Sequence, residues 1–178
     1  MTLQWIAIIL GLLATASGIY GLLRTESVQQ ALMRFPRSTV PAWILAALCC
    51  LLGAREALHM NMGFLNAYKS WIYLLAPAVF AASVVYLKEL LAPRALGGFL
   101  LLIAVPILQI ARWHDAPMRL VVVVLVYFWI VLGLLLLLSP WWFRRLTQPL
   151  SSLARIRMAC TAKTLFGLFL LLLGFFFY

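Results

Sequence analysis

Apolar residues run along this chain in six long stretches, and polar residues are confined to the short segments between them. The hydrocarbon core of a bilayer is about 30 Å thick, and a helix needs about 20 apolar residues to cross it. The stretches are continuous and do not alternate with polar residues, which excludes the strands of a membrane barrel. The pattern therefore predicts an all-α, polytopic membrane helix bundle of about six transmembrane helices. The predicted spans lie near Leu3–Leu23, Pro41–Leu58, Trp71–Leu87, Ala95–Ala111, Leu120–Leu138 and Ala159–Tyr178.

The fourth span is the weakest of the six. It is short and contains Pro106, so an alternative with five spans and a re-entrant segment stays open at this point. No segment outside the spans is long enough to bury a core of its own. We therefore expect residues 1–178 to form a single transmembrane helical domain.

The segment after the first span has a helical pattern of its own. Thr25 begins it with a capping residue, Val28, Leu32 and Phe35 follow at helical spacing, and Pro36 ends it. This pattern predicts a short amphipathic helix that lies on the membrane interface.

Composition and charge agree with a membrane location. Hydrophobic residues make up 66% of the chain and charged residues 10%, and the mean hydropathy is +1.08. Of the fourteen Lys and Arg residues, ten lie beside the odd-numbered loops and four beside the even-numbered ones. Because basic residues collect on the cytoplasmic side, we expect both termini to lie outside the cytoplasm, most simply in the bacterial inner membrane.

The net charge of +10 also indicates which partners the surface favours. We expect binding to lipids with anionic headgroups. The basic residues are scattered over short loops and form no contiguous patch in the sequence, so no nucleic acid is expected as a partner. Trp141, Trp142, Arg144 and Arg145 are the expected headgroup anchors, since an aromatic belt followed by basic residues is typical of a membrane boundary.

Small residues indicate where helices pack closely. In lipid, helices associate through close backbone approach at Gly, Ala and similar residues. The first span carries such a row at spacings of four and three residues, which predicts one packing face. The row comprises Ala7, Gly11, Ala14, Gly18 and Gly21. The fifth span is almost entirely bulky, with Gly133 as its small residue, which favours a helix that faces lipid or another subunit.

A group of polar residues at membrane depth is the candidate site. Charged side chains in hydrocarbon are costly and mark functional positions by default. At the outer end of the second span lie Arg55, Glu56 and His59, and the fourth loop adds His114 and Asp115. The five residues are a candidate ligand or cation site if they converge. In the structural alternative, Arg55 extends to the headgroups and Glu56 pairs with a neighbouring helix.

The sequence contains no recognisable enzyme motif. With four acidic residues and no short-range metal-ligand spacing, we expect no catalysis, metal or cofactor. The first hypothesis is a non-catalytic subunit or scaffold of a larger inner-membrane complex, whose partners are other membrane subunits or a second copy of itself. The alternative is a small carrier or substrate-capture component that binds a ligand or cation between helices near the outer side. Two prolines within spans, Pro77 and Pro106, favour the second hypothesis because kinked helices can frame a cavity.

Overall fold

The computed structural model describes residues 3–61, 63–86, 90–114, 116 and 118–178. Within these residues the chain forms eight α-helices joined by short turns and 3₁₀ segments. The helices are α1 (Leu3–Leu23), α2 (Thr25–Arg34), α3 (Thr39–His59), α4 (Ile72–Tyr86), α5 (Leu91–Arg112), α6 (Arg119–Leu138), α7 (Trp141–Thr147) and α8 (Leu153–Phe176). The 3₁₀ segments are Phe35–Arg37, Gly63–Trp71 and Gln148–Ser151.

Six of the described helical segments are long and apolar enough to cross a membrane, which confirms the predicted fold class. Helix α5 runs without interruption through Pro106 over 22 residues, so the five-span alternative is not supported. Helix α5 begins earlier than predicted because Pro93 fits its first turn, where no backbone N–H is needed. The predicted end of the third span at Leu87 and the loop residue Lys88 lie outside the described residues.

Helix α8 also begins earlier than the sequence predicts. It begins at Leu153, six residues before the predicted Ala159. The Ser152 side chain caps it by accepting a hydrogen bond from the Arg155 backbone N–H at 3.4 Å. The charged residues Arg155 and Arg157 therefore belong to the helix, although they precede its apolar stretch.

The short helix α2 confirms the amphipathic helix predicted after the first span. Thr25 is buried, and Val28 and Leu32 are partly buried, whereas Glu26 and Gln30 are exposed. Four-residue spacing puts Val28 and Leu32 on one face of the helix. Helix α2 ends at Arg34, just before the Phe35–Arg37 segment that contains Pro36.

The chain divides into two compact units. The first unit comprises Met1–Met33, Ile103–Val131 and Arg144–Tyr178, and the second comprises Arg34–Leu102 and Leu132–Phe143. The division falls within α5 and within α6, so each of these helices contributes to both units.

The first unit is built around α1 and α8, which pack along their length. A buried cluster joins α1 to the second half of α5 and the first half of α6. Its members are Leu3, Ile6, Ala7, Ala104, Ile107, Ala111, Val122 and Val126. The Tyr178 hydroxyl donates a hydrogen bond to the Met118 carbonyl oxygen at 2.5 Å. Leu3 and Tyr178 therefore lie at the same end of this unit as Met118.

The second unit contains α3, α4, the first half of α5 and the end of α6. Ala42 of α3 is buried together with Leu91 and Ala92 of α5. The Phe35 and Phe143 rings lie 5.3 Å apart between centroids, which brings the start of α3 and the start of α7 to the same end of this unit. This arrangement places α3, α4 and α5 side by side, and a cavity lies among them.

Candidate functional site

The predicted site residues on α3 lie at its last turn and are not joined to one another. Arg55 and His59 are exposed and Glu56 is partly buried. Within the described part of the chain, none of these three side chains makes a hydrogen bond or an ion pair. The nearby Lys69 Nζ donates instead to the Leu58 carbonyl oxygen at 2.9 Å, which satisfies one of the free carbonyls at the end of α3.

The predicted site residue His114 is held by its own loop. Its Nδ1 accepts a hydrogen bond from the Ala116 backbone N–H at 3.2 Å, and its carbonyl oxygen accepts one from Arg119 Nη1 at 2.7 Å. Its ring contacts Tyr178 edge-on, with 6.0 Å between centroids. These contacts hold His114 against Ala116, Arg119 and Tyr178. Burial raises the pKa of the Tyr178 phenol.

Asp115 lies outside the described residues, and its predicted role stays a prediction. His114 belongs to the first unit, whereas Glu56 and His59 belong to the second. No group of three or more His, Cys, Asp and Glu side chains comes together among the described residues in a way that would hold a metal ion.

The predicted headgroup anchors lie on α7. Trp141 and Trp142 stack with 5.0 Å between ring centroids, and Trp141 is the more exposed of the two. Arg144 and Arg145 follow on the exposed surface of the same helix. An aromatic pair followed by two cations is suited to a membrane interface, and lipid anchoring stays a prediction for these residues.

The predicted packing row of α1 lies against α8. Ala7, Gly11, Gly18 and Gly21 are buried, and Ala14 is partly buried. A Cβ added at Gly11 would lie 2.9 Å from the Gly167 carbonyl oxygen, and one at Gly21 would lie 2.5 Å from Cys160 Sγ. The row therefore meets backbone and side chains of α8 within the same chain.

Helix α8 carries a matching row that our sequence prediction missed. A Cβ at Gly167 would lie 2.6 Å from the Thr15 backbone nitrogen, and one at Gly174 would lie 2.7 Å from Ile8 Cγ1. The signal is present in the sequence as small residues at spacings of four, three and seven residues. They are Cys160, Thr164, Gly167 and Gly174.

A cavity of about 590 Å³ lies in the second unit among α3, α4 and α5. Its lining on α3 consists of small side chains, and a Cβ added at Gly53 would find nothing within 4 Å. Its lining is apolar apart from two thiols, one hydroxyl and one guanidinium. The lining residues are Ala46, Cys49, Cys50, Gly53, Ala54, Ala57, Ile72, Leu75, Ala76, Val79, Ser83, Leu91, Arg94, Ala95, Gly98 and Leu137. Glu56 is not among them.

Two of the polar groups at the cavity bond to the protein itself. Cys49 Sγ donates to the Ala95 carbonyl oxygen at 3.2 Å, and Ser83 Oγ donates to the Val79 carbonyl oxygen at 2.7 Å. Both donors are therefore satisfied without a ligand.

The guanidinium of Arg94 differs from these groups. Its Nε is buried and has no hydrogen-bond partner. Within the described part of the chain, the Arg94 side chain makes no hydrogen bond or ion pair at all. A buried donor left unsatisfied costs about 1–3 kcal/mol, and more when it is charged. Among the described residues that line the cavity, Arg94 is therefore the charged one, and it lacks a partner.

In the sequence, Arg94 is one of the basic residues beside the third loop. A second signal was available, since a cation in the first turn of a helix opposes the helix dipole. The small residues of α3 were also visible, but their spacing does not tell whether they meet another helix or line a cavity.

No protein-family model, no curated protein and no solved structure matches this chain.

Proposed function

We propose that this chain is a small integral membrane protein that binds an elongated apolar molecule in the cavity among α3, α4 and α5. The observation that carries this proposal is the cavity of about 590 Å³ with its mainly apolar lining. Small-molecule sites in proteins have volumes of about 300–1,000 Å³ and are mostly apolar with a few polar groups. The cavity has both properties.

The packing of α1 removes one argument for the other hypothesis. A small-residue row favours a subunit role when it needs a partner helix from another chain. Here Gly11, Gly18 and Gly21 pack against α8 of the same chain. The row therefore requires no second protein, and ligand binding is the better supported proposal.

The experiment for this proposal fills the cavity with a side chain. Gly53→Leu puts a large group where a Cβ has free space, while Ala82→Leu adds a leucine at an exposed position of α4 that does not line the cavity. Native mass spectrometry of the protein in a nonionic detergent would measure how much hexadecanol, a neutral single-chain probe, each protein retains.

We expect the original chain and the Ala82→Leu variant to retain hexadecanol and Gly53→Leu to lose most of it. Equal retention by all three proteins would contradict the proposal, because binding would then be independent of the cavity.

A second candidate is a non-catalytic subunit of a larger inner-membrane complex. Helix α4 favours it, since none of its fifteen described residues is buried and most of them are exposed, so this surface is open to lipid or to another protein. Extraction in a gentle detergent followed by mass measurement separates the two candidates. Co-purifying membrane proteins in fixed ratio favour the subunit role, and a chain without protein partners favours ligand binding.

We also propose that the protein lies in a bacterial inner membrane with both termini outside the cytoplasm. The uneven distribution of Lys and Arg supports this orientation. The positions of Leu3 and Tyr178 at the same end of the first unit as the α5–α6 loop are consistent with it.

A further inference from the structure

We propose that the ligand of this cavity is a long-chain carboxylate whose acidic head pairs with Arg94. This inference rests on the proposed function and adds the chemical class and the direction of the bound molecule. It starts from the one group at the cavity that is charged and lacks a partner.

Charge complementarity identifies the polar headgroup of the ligand as an anion. Arg94 is the one charged residue among those that line the cavity in the described part of the chain. Its guanidinium has no hydrogen bond or ion pair within the described residues, and a guanidinium binds carboxylates through two parallel hydrogen bonds. One guanidinium balances one carboxylate, whereas a phosphate monoester carries up to two negative charges. The single cation therefore favours the carboxylate.

The position of Arg94 in its helix supports an anion as well. Arg94 is the fourth residue of α5, in the first turn of a helix of 22 residues. The N-terminal turn of a helix has a partial positive charge, which disfavours a cation and favours an anion. A bound carboxylate would be attracted by both Arg94 and the first turn of α5.

The distribution of the other lining residues indicates the direction in which the hydrocarbon chain of the ligand lies. Ser83, Leu91 and Arg94 lie toward the α4–α5 turn, whereas Ala57 and Ile72 lie at the opposite ends of α3 and α4. The lining toward Ala57 and Ile72 consists of Ala, Gly, Leu, Ile and Val residues with no charge. We therefore place the acidic head beside Arg94 and the hydrocarbon tail toward Ala57.

The test compares three probes with the same hydrocarbon chain and different heads: palmitate, hexadecanol and hexadecyl phosphate. Native mass spectrometry in a nonionic detergent measures the retention of each by the original chain. We expect palmitate to bind about tenfold to a hundredfold more tightly than hexadecanol, the range for hydrogen bonds to a charged group. We expect palmitate also to exceed hexadecyl phosphate.

Three variants assign this preference to a residue. Arg94→Gln should reduce palmitate binding to the level of hexadecanol, and Arg94→Lys should keep part of the preference because the charge remains. Arg157→Gln, which removes an exposed arginine that does not line the cavity, should keep all of it. The thermal unfolding midpoint of each variant shows that it is folded.

The outcomes separate this inference from the proposed function. If palmitate and hexadecanol bind equally and Gly53→Leu blocks both, the carboxylate inference is wrong and the cavity still binds ligand. The inference is also wrong if hexadecyl phosphate binds best, or if both Arg94 variants keep the original preference. If Gly53→Leu blocks neither probe, the proposed function itself fails.

Discussion

Gly97 of α5 and Gly133 of α6 face each other so closely that neither position has room for a side chain. A Cβ at Gly97 would lie 2.6 Å from the Gly133 carbonyl oxygen, and a Cβ at Gly133 would lie 2.9 Å from the Gly97 carbonyl oxygen. The neighbouring atoms are backbone, so they cannot move aside as a flexible side chain can. This glycine pair fixes how closely α5 and α6 approach each other within the second unit.

The first prediction concerns this glycine pair. Gly97→Ala should lower the free energy of unfolding by about 1–3 kcal/mol, the usual cost of an added group in a well-packed contact. Gly53→Ala is the matched control, because its Cβ enters free space and alanine is the better helix former. Thermal unfolding in detergent measures both. A loss that is no larger at Gly97 than at Gly53 would contradict the close approach of the two helices.

The second prediction tests the α1–α8 contact through two residues. A Cβ at Gly18 would overlap Thr164 Oγ1 and lie 3.1 Å from the Cys160 carbonyl oxygen. Gly18→Ala should therefore destabilise the protein. Thr164→Ala removes the overlapping hydroxyl, so the double variant should lose less stability than the two single variants added together. Strict additivity of the thermal unfolding data would show that the two positions do not touch.

The third prediction compares two leucines of α6 that the sequence does not distinguish. Leu136 is 2% exposed, whereas Leu138 is 76% exposed. Leu136→Ala should cost about 2–5 kcal/mol through a cavity in the packed interior. Leu138→Ala should change the unfolding free energy by much less. Similar losses at both positions would mean that this part of α6 is packed differently.

The fourth prediction concerns Glu56. Its side chain has no hydrogen bond or ion pair within the described part of the chain, so Glu56→Gln should leave the thermal unfolding midpoint nearly unchanged. Lys69→Met at the same end of α3 is the comparison, because it removes the hydrogen bond to the Leu58 carbonyl oxygen. That change should cost about 0.5–1.5 kcal/mol. A larger loss at Glu56 than at Lys69 would show that Glu56 has a partner after all.

The fifth prediction tests the orientation in the membrane. A reporter enzyme that is active only outside the cytoplasm should be active when fused after Tyr178 and inactive when fused after Thr147. The two sites are separated by α8, which is long enough to cross the bilayer. Activity in the reverse pattern would show that the positive-inside rule gives the wrong orientation for this chain.

The fold could be predicted from the sequence where apolar stretches have clear ends. Helix α1 spans Leu3–Leu23, as predicted, because no charged residue interrupts this stretch and Arg24 follows it. The predicted starts of the fourth and sixth spans were late. The charged residues Arg94, Arg155 and Arg157 lie just before the two apolar stretches, so the predicted helices began after them. A helix can nevertheless extend beyond the hydrocarbon and include such residues.

The interior of the bundle was harder to predict than its helices. A helix that is apolar all round gives no periodicity, so the buried side of α6 at Val122, Val126 and Leu136 was not visible in the sequence. One glycine in such a helix, Gly133, also forms no repeating pattern. Which residues of α6 are buried depends on the helices that pack against it in the folded protein.

The candidate site could be predicted only in part. The polar residues Arg55, Glu56 and His59 are conspicuous in the sequence because they follow an apolar stretch. The cavity is not conspicuous in the sequence, because Gly18 and Gly53 are both glycines within apolar stretches, yet Gly18 meets α8 and Gly53 opens onto free space. Arg94 became a candidate only when its buried, unpartnered Nε was known.

The exposed character of α4 has a consequence for motion. None of its fifteen described residues is buried, so the helix can separate from its neighbours while losing few contacts. Segments with few buried contacts open first in native proteins, and their amides exchange hydrogen fastest. We therefore expect amides of α4 to exchange faster than those of α1, which packs along α8. A molecule in the cavity would contact α4 at Leu75 and Val79, and we therefore expect it to slow this exchange.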